Sequence, residues 1–233
     1  MAYVRARGVR FHVVDLGRDT GRSPVVMLHG LFTGSAASWF FTAAPALART
    51  RRVRLPDWRG HGLTERTPTG YDTTTMADDL AALTADLPPF AIAGHSYGAT
   101  VAVRFARAHP GRVTALALVD PPFSGVVAEI DPGRCAVPDA ARDSVADLLR
   151  RTSLVYDLAA DPPVTAAELA ELAGLPLLAV VGSGSPFRSA ADLVGQALPA
   201  ARRHVLNGGH DLHITARARL TPLLGAFLEE SHA

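Results

Sequence analysis

Lysine is absent from this chain: all 23 basic residues are arginine. Against 22 acidic residues they leave a formal net charge of +1. A balance so near neutral leaves no electrostatic footprint for nucleic acid or an anionic membrane. The arginines are scattered, apart from short groups at residues 51–52 and 150–151 that read as solvated faces. The missing lysine is read as a bias of coding composition, not as a functional signal. A single cysteine, Cys135, excludes an internal disulfide and a cysteine-rich metal site. No stretch is long and apolar enough to span a bilayer, and the first seven residues lack the apolar core of a secretion signal. The expectation is a cytoplasmic protein whose partner is a small-molecule substrate, with no nucleic acid and no membrane. Oligomeric state is not legible.

What is present suits one globular domain over residues 1–233: 48% hydrophobic and 19% charged residues. Residues 9–16 alternate imperfectly and read as a strand pairing with residues 3–7. Residues 24–28, 115–119 and 177–181 are continuous apolar runs, as expected of strands buried on both faces of a parallel sheet. Helical patterns fall between them. Thr75 with Asp78, and Thr165 with Glu168, resemble capping boxes. Leu80, Leu83 and Leu87 share a helical face, and Gly174 suits a helix C-terminus. A last helix spans about residues 214–230. Alternating strands and helices argue for an α/β fold with a mostly parallel central sheet. Residues 121–163 break that rhythm, being rich in Pro, Asp and Ala with one clear helical stretch at 143–154. So long an excursion from a strand end is usually functional; here it is expected to form a small helical cap over the site.

Residues 94–98, Gly-His-Ser-Tyr-Gly, fit G-x-S-x-G. An apolar run, 90–93, leads in, and a helix-like run, 99–106, leads out. Strand, tight turn and helix are the context that gives this pattern its mechanics: the flanking residues must be small, and Ser96 stands clear at the sheet's end as a nucleophile. The following helix aims its N-terminus at it. A nucleophilic serine needs a base, a group that orients the base, and donors for the oxyanion. His210, in Asn207-Gly208-Gly209-His210, lies between a strand-like run and the last helix and is the candidate base; His213 is the weaker alternative. The oxyanion donors are expected to be the backbone amides of Tyr97 and Leu31. His29 is expected to brace the loop that carries Leu31. His210, Asp211 and His213 make only a weak case for a metal, and no metal or cofactor is expected. Phe32 and Phe123 are candidate substrate-binding residues, and Trp39 and Phe40 read as packing.

His29-Gly30, Asp57-Trp58-Arg59-Gly60-His61-Gly62, the serine turn and Gly208-Gly209-His210 together, in this order, resemble the α/β-hydrolase superfamily. The resemblance implies the α/β-hydrolase fold with a helical cap, and a scaffold role for Asp57 and His61. It also exposes one departure. Members usually carry the triad acid shortly after the strand that is here 177–181, and this chain has Gly182-Ser183-Gly184-Ser185-Pro186, with Ser185 at the expected place. Ser185 can instead cap the next helix. Three readings follow. Asp120, after the strand at 115–119, supplies the acid, with Pro121 biasing it toward an extended backbone. Alternatively the site is a Ser–His dyad, steered by Ser183, Ser185 or a carbonyl. Or hydrolysis is not the task, and the fold serves a lyase, a cyclase or a ligand-binding protein. The first gives a serine hydrolase of a carboxylic ester or thioester with Ser96, His210 and Asp120 as its triad; cleavage of a carbon–carbon bond by the same Ser–His site stays open.

Overall fold

The computed structural model describes residues 2–123 and 139–231. Its strands are β1 (Ala2–Ala6), β2 (Val9–Leu16), β3 (Val25–Leu28), β4 (Val53–Pro56), β5 (Phe90–His95), β6 (Val113–Val119), β7 (Leu177–Gly182) and β8 (Arg202–Leu206). They form one sheet in the order β1-β2-β4-β3-β5-β6-β7-β8. β1 and β2 run antiparallel to their neighbours, and β3 through β8 are parallel. The strand order reverses around β3 and β5, and the crevice at the carboxyl ends of strands at such a reversal is where open α/β sheets carry their sites.

The apolar runs are buried on both faces because successive side chains point opposite ways. Val26, Leu28, Ile92, Leu116 and Leu118 enter one core. Val25, Met27, Ala91, Ala93, Ala115, Ala117 and Val119 enter the other. The first core lies against α3 (Thr73–Leu83), α4 (Tyr97–Ala108) and α8 (Ala190–Ala197). The second is covered by α1 (Ala36–Phe40), α2 (Ala44–Leu47) and the last helix, which places Leu220, Leu224, Phe227 and Leu228 on it. Each fully buried side chain of this size contributes about 1.5–3 kcal/mol.

Three local expectations need correction. α3 is capped by Asp72, whose Oδ1 accepts the Thr75 amide at 2.8 Å. Thr75 is therefore inside the first turn, and Leu87 lies past the helix end, in a turn closed on the Thr84 carbonyl. The last helix is two: α9 (Leu212–Thr215) and α10 (Arg217–Glu230), broken at Ala216 with φ −114°. Ser185 caps no helix, since α8 begins at Ala190 behind Ser189. The Thr165–Glu168 capping box is present at α7 (Ala166–Ala170), with both reciprocal bonds made.

Within the expected insertion, α5 (Asp139–Arg151) and α6 (Leu154–Ala160) are helical, a larger share than the sequence indicated. Leu148, Leu154 and Leu158 pack into the first core, so these helices are docked on the sheet's neighbours. Residues 124–138, Cys135 among them, lie outside the described residues.

Candidate active site

Ser96 sits between β5 and α4 with φ 52° and ψ −131°. Non-glycine residues avoid this region at a cost of about 1–3 kcal/mol. The turn persists because its surroundings over-determine it. The Ser96 amide donates to the Val119 carbonyl at 2.9 Å, and the Ser96 carbonyl accepts the Ala99 amide at 2.8 Å. The flanking glycines are sterically required. A Cβ on Gly94 would lie 2.6 Å from the Gly98 carbonyl oxygen, and one on Gly98 would lie 2.6 Å from that of His29.

His210 is delivered by the loop after β8. Its Nε2 lies 2.9 Å from Ser96 Oγ, and its Nδ1 lies 2.6 Å from Asp120 Oδ2. Asp120 is fully buried at the exit of β6. Its other oxygen accepts the Gly182 amide at 2.9 Å, and its own amide donates to the Val180 carbonyl at 2.7 Å. The expected extended backbone is not found: Asp120 has φ 50°, in the left-handed region that Asp tolerates better than most residues. Its two bonds to β7 offset that strain. Ser185, standing where the superfamily usually keeps its acid, donates its hydroxyl to Asp120 Oδ2 and accepts the Phe187 amide at 3.1 Å. The position thus keeps its place beside the carboxylate while giving up the charge.

The loop of residues 29–34, expected to supply an oxyanion donor, is fixed by two histidines. His29 Nε2 accepts the Trp58 amide at 3.0 Å, so its Nδ1 carries the proton and donates to the Gly30 carbonyl at 2.6 Å. His61 Nε2 accepts the Phe32 amide at 2.9 Å, and its Nδ1 donates to the Arg59 carbonyl. Both rings are buried and neutral. Desolvation, joined by neighbouring His29, pushes His61 down to about 3, and desolvation lowers His29 too. The Phe32 amide is committed to His61; Leu31, the expected oxyanion donor, lies on the same loop, and Tyr97, the other, opens α4. Asp57 holds the scaffold around them. Its carboxylate accepts the Ala36 amide at 2.5 Å and the Leu63 amide at 3.0 Å, and it pairs with His12 Nδ1 at 2.7 Å.

Behind His210 lies a cluster of mutually tilted rings that the sequence did not reveal. The His95 ring centre is 4.7 Å from that of His210 and 4.0 Å from that of His213. Trp39 closes the cluster at 5.1 Å from His213, with its Nε1 donating to the Leu28 carbonyl. His95 Nε2 reaches the His210 carbonyl at 3.1 Å, fixing the backbone of His210. Desolvation, then the neighbouring imidazoles, holds His95 well below its usual value and His213 down to about 4. His95, Asp211 and His213 bring ligand atoms within 4.8 Å of one another. Two imidazoles on one zinc at ~2.0–2.1 Å would hold their ring centres about 5 Å apart. The two rings here have centres 4.0 Å apart and are tilted by 41° to one another.

Phe32 is partly buried with φ 66°, on the loop facing the serine. Phe123 is only 2% exposed and is packed in the first core. Phe187, which no sequence pattern singles out, meets the His210 ring edge-on at 5.0 Å.

Comparison with known proteins adds to this geometry. The model of a family described as alpha/beta hydrolase fold matches residues 23–157. The chain is similar to the magnesium-chelatase 30 kDa subunit of Rhodobacter capsulatus, 29% identical over 97% of this chain and 93% of that protein. It is similar to lipase LipV of Mycobacterium tuberculosis, 33% identical over 72% of this chain and 64% of the lipase. A thermophilic esterase from Thermogutta terrifontis has the same fold, with a TM-score of 0.80 at 21% identity, covering 100% of this chain and 99% of that one.

Proposed function

The chain belongs to the alpha/beta hydrolase fold family and is a hydrolase of that class, and on that premise we propose that it cleaves a carboxylic ester or thioester of a small, partly hydrophobic substrate through an acyl-enzyme on Ser96. The observation that carries this reading is the unbroken row from Ser96 Oγ to His210 Nε2 at 2.9 Å and from His210 Nδ1 to Asp120 at 2.6 Å.

In this reading Ser96 Oγ attacks the carbonyl carbon while His210 Nε2 takes its proton. The carbonyl oxygen becomes an oxyanion, held by the Leu31 and Tyr97 amides, which are already oriented and pay no reorganisation as charge develops. Asp120 keeps the Nδ1 proton in place and stabilises the imidazolium. The intermediate collapses, the C–O or C–S bond breaks, and His210 gives its proton to the leaving alkoxide or thiolate. Water then attacks the acyl-enzyme, with His210 taking one of its protons and returning it to Ser96 as the acid departs. Phe32 offers the acyl side an apolar surface. We read the chain as one domain, with the helices within residues 121–163 as its cap.

Labelling with a fluorophosphonate probe tests the reading. Wild type should be labelled and should hydrolyse p-nitrophenyl acetate, and Ser96→Ala and His210→Ala should do neither. A wild type that stays unlabelled beside a labelled control hydrolase would sink the reading.

A further inference from the structure

Tyr97 is buried, yet it ends in a hydroxyl that packing alone would leave expensive. The structure gives that hydroxyl to the cap. It donates to Asp161 Oδ2 and lies 3.1 Å from the Tyr71 carbonyl oxygen. Asp161 follows α6, and its carboxylate also accepts the Thr73 amide at 2.9 Å and the Thr73 hydroxyl at 3.2 Å. One helical turn earlier, Asp157 Oδ2 accepts the Tyr71 amide at 2.8 Å, the Gly70 amide at 3.2 Å and the Ser153 hydroxyl at 2.5 Å. The end of α6 is therefore bolted to the loop before α3 and, through one phenol, to the residue immediately after the nucleophile. Burial, with the Asp161 charge beside it, raises the Tyr97 phenol above its usual value, so it remains a donor at neutral pH.

The Tyr97 ring belongs to the first core. A cavity of about 20 Å³ lies beside Tyr97, bounded by Thr100, Leu158, Asp161 and Pro162. The ring's packing in the first core and the hydroxyl's bonds together set its orientation.

We propose that Asp161 is a positioning residue for Ser96, holding the Tyr97 side chain so that the Tyr97 amide and the serine turn keep their geometry as charge develops. The proposal rests on the acyl-transfer reading above. Asp161 touches no reacting atom. It acts through Tyr97, and it makes the alignment of the serine turn depend on the cap being docked.

The test compares wild type, Asp161→Asn, Tyr97→Phe and the double variant, measuring kcat and KM for p-nitrophenyl acetate and the rate of fluorophosphonate labelling. Tyr97→Phe removes one oxygen and leaves Asp161 its Thr73 donors, so it is the variant that keeps its fold if Asp161→Asn does not. Since misplacement by about 1 Å costs up to ~100-fold, kcat should fall about tenfold in each single variant, with KM within about twofold and labelling slowed in parallel. The double variant should be no slower than either single one, because both changes break the same link. Unchanged kcat in folded single variants, or losses that multiply in the double variant, would overturn the proposal. A wild type that is not labelled would overturn the acyl-transfer reading instead, and a thermal-unfolding cycle on the same variants would still report whether Asp161 and Tyr97 are coupled.

Discussion

Replacing Asp120 by Asn separates the charge of this residue from its shape. The carboxylate meets donors on both oxygens: the Gly182 amide at 2.9 Å on one, His210 Nδ1 and the Ser185 hydroxyl on the other. An amide has one oxygen to offer. If that oxygen serves Gly182, the NH2 faces His210 Nδ1 and can bond only to a ring whose Nδ1 is unprotonated. The proton then sits on Nε2, which donates to Ser96 Oγ and can no longer accept its proton. If the amide turns over, its NH2 opposes the buried Gly182 N–H, leaving donors unpaired at about 1–3 kcal/mol. The first orientation therefore wins, and the base is held in the wrong tautomer. Loss of the orienting carboxylate in such a triad costs about 10⁴-fold in kcat, or ~5.5 kcal/mol of barrier. The assay is kcat for p-nitrophenyl acetate at neutral pH, with circular dichroism to show that the fold is kept. A folded Asp120→Asn enzyme within about tenfold of wild type would refute the tautomer argument and leave a Ser–His dyad as the better description.

The remaining predictions are briefer. Ser185 already touches Asp120 Oδ2, so adding Ser185→Asp to Asp120→Asn should return a carboxylate to reach of His210. Recovery of about tenfold or more in kcat is expected, and no recovery would show that the loop after β7 cannot point an acid at the base. Gly98→Ala should cost about 1–3 kcal/mol or more of stability by forcing a methyl against the His29 carbonyl, read as a lowered urea midpoint; an unchanged midpoint would show that the serine turn has slack. Acid should destabilise the fold. His29, His61, His95 and His213 all have lowered values in the folded chain, His61 to about 3 and His213 to about 4, with burial the largest cause in each. The unfolded chain binds more protons below about 6.5, so this stability is fully present above that value and is lost as pH falls toward about 4. Each imidazole contributes up to ~1.4 kcal/mol per pH unit; urea midpoints that stay flat between about pH 7 and 5 would contradict this.

Much of the fold is legible in one dimension because its signals are local. Residues 24–28, 115–119 and 177–181 are apolar without alternation, and only a sheet covered on both faces buries such runs. The serine turn is legible for the same reason: Gly94 and Gly98 are demanded by backbone atoms within a few residues of them or one strand away. What the sequence pattern misplaced were junctions. Asp72 won the start of α3 over Thr75 because its side chain reached the third amide of the helix. Ala216 broke the last helix although the apolar pattern runs through it.

The sequence by itself determined the buried parallel strands, the turn and helix around Ser96, the nucleophile candidate and the candidate base, since each rests on a short run of residue types. It left open which carboxylate faces His210, because Asp120 and His210 are 90 residues apart and no local pattern links them. That choice belongs to the parallel pairing of β6 with β7, which sets the exit of β6 beside Gly182, where Asp120, at a positive φ, meets His210. The same long-range packing put Ser185 on that carboxylate, set His95 between His210 and His213, and brought Asp161 down onto Tyr97. A spacing along the chain carries none of these contacts; they exist because the sheet closes its register and the helices dock on it.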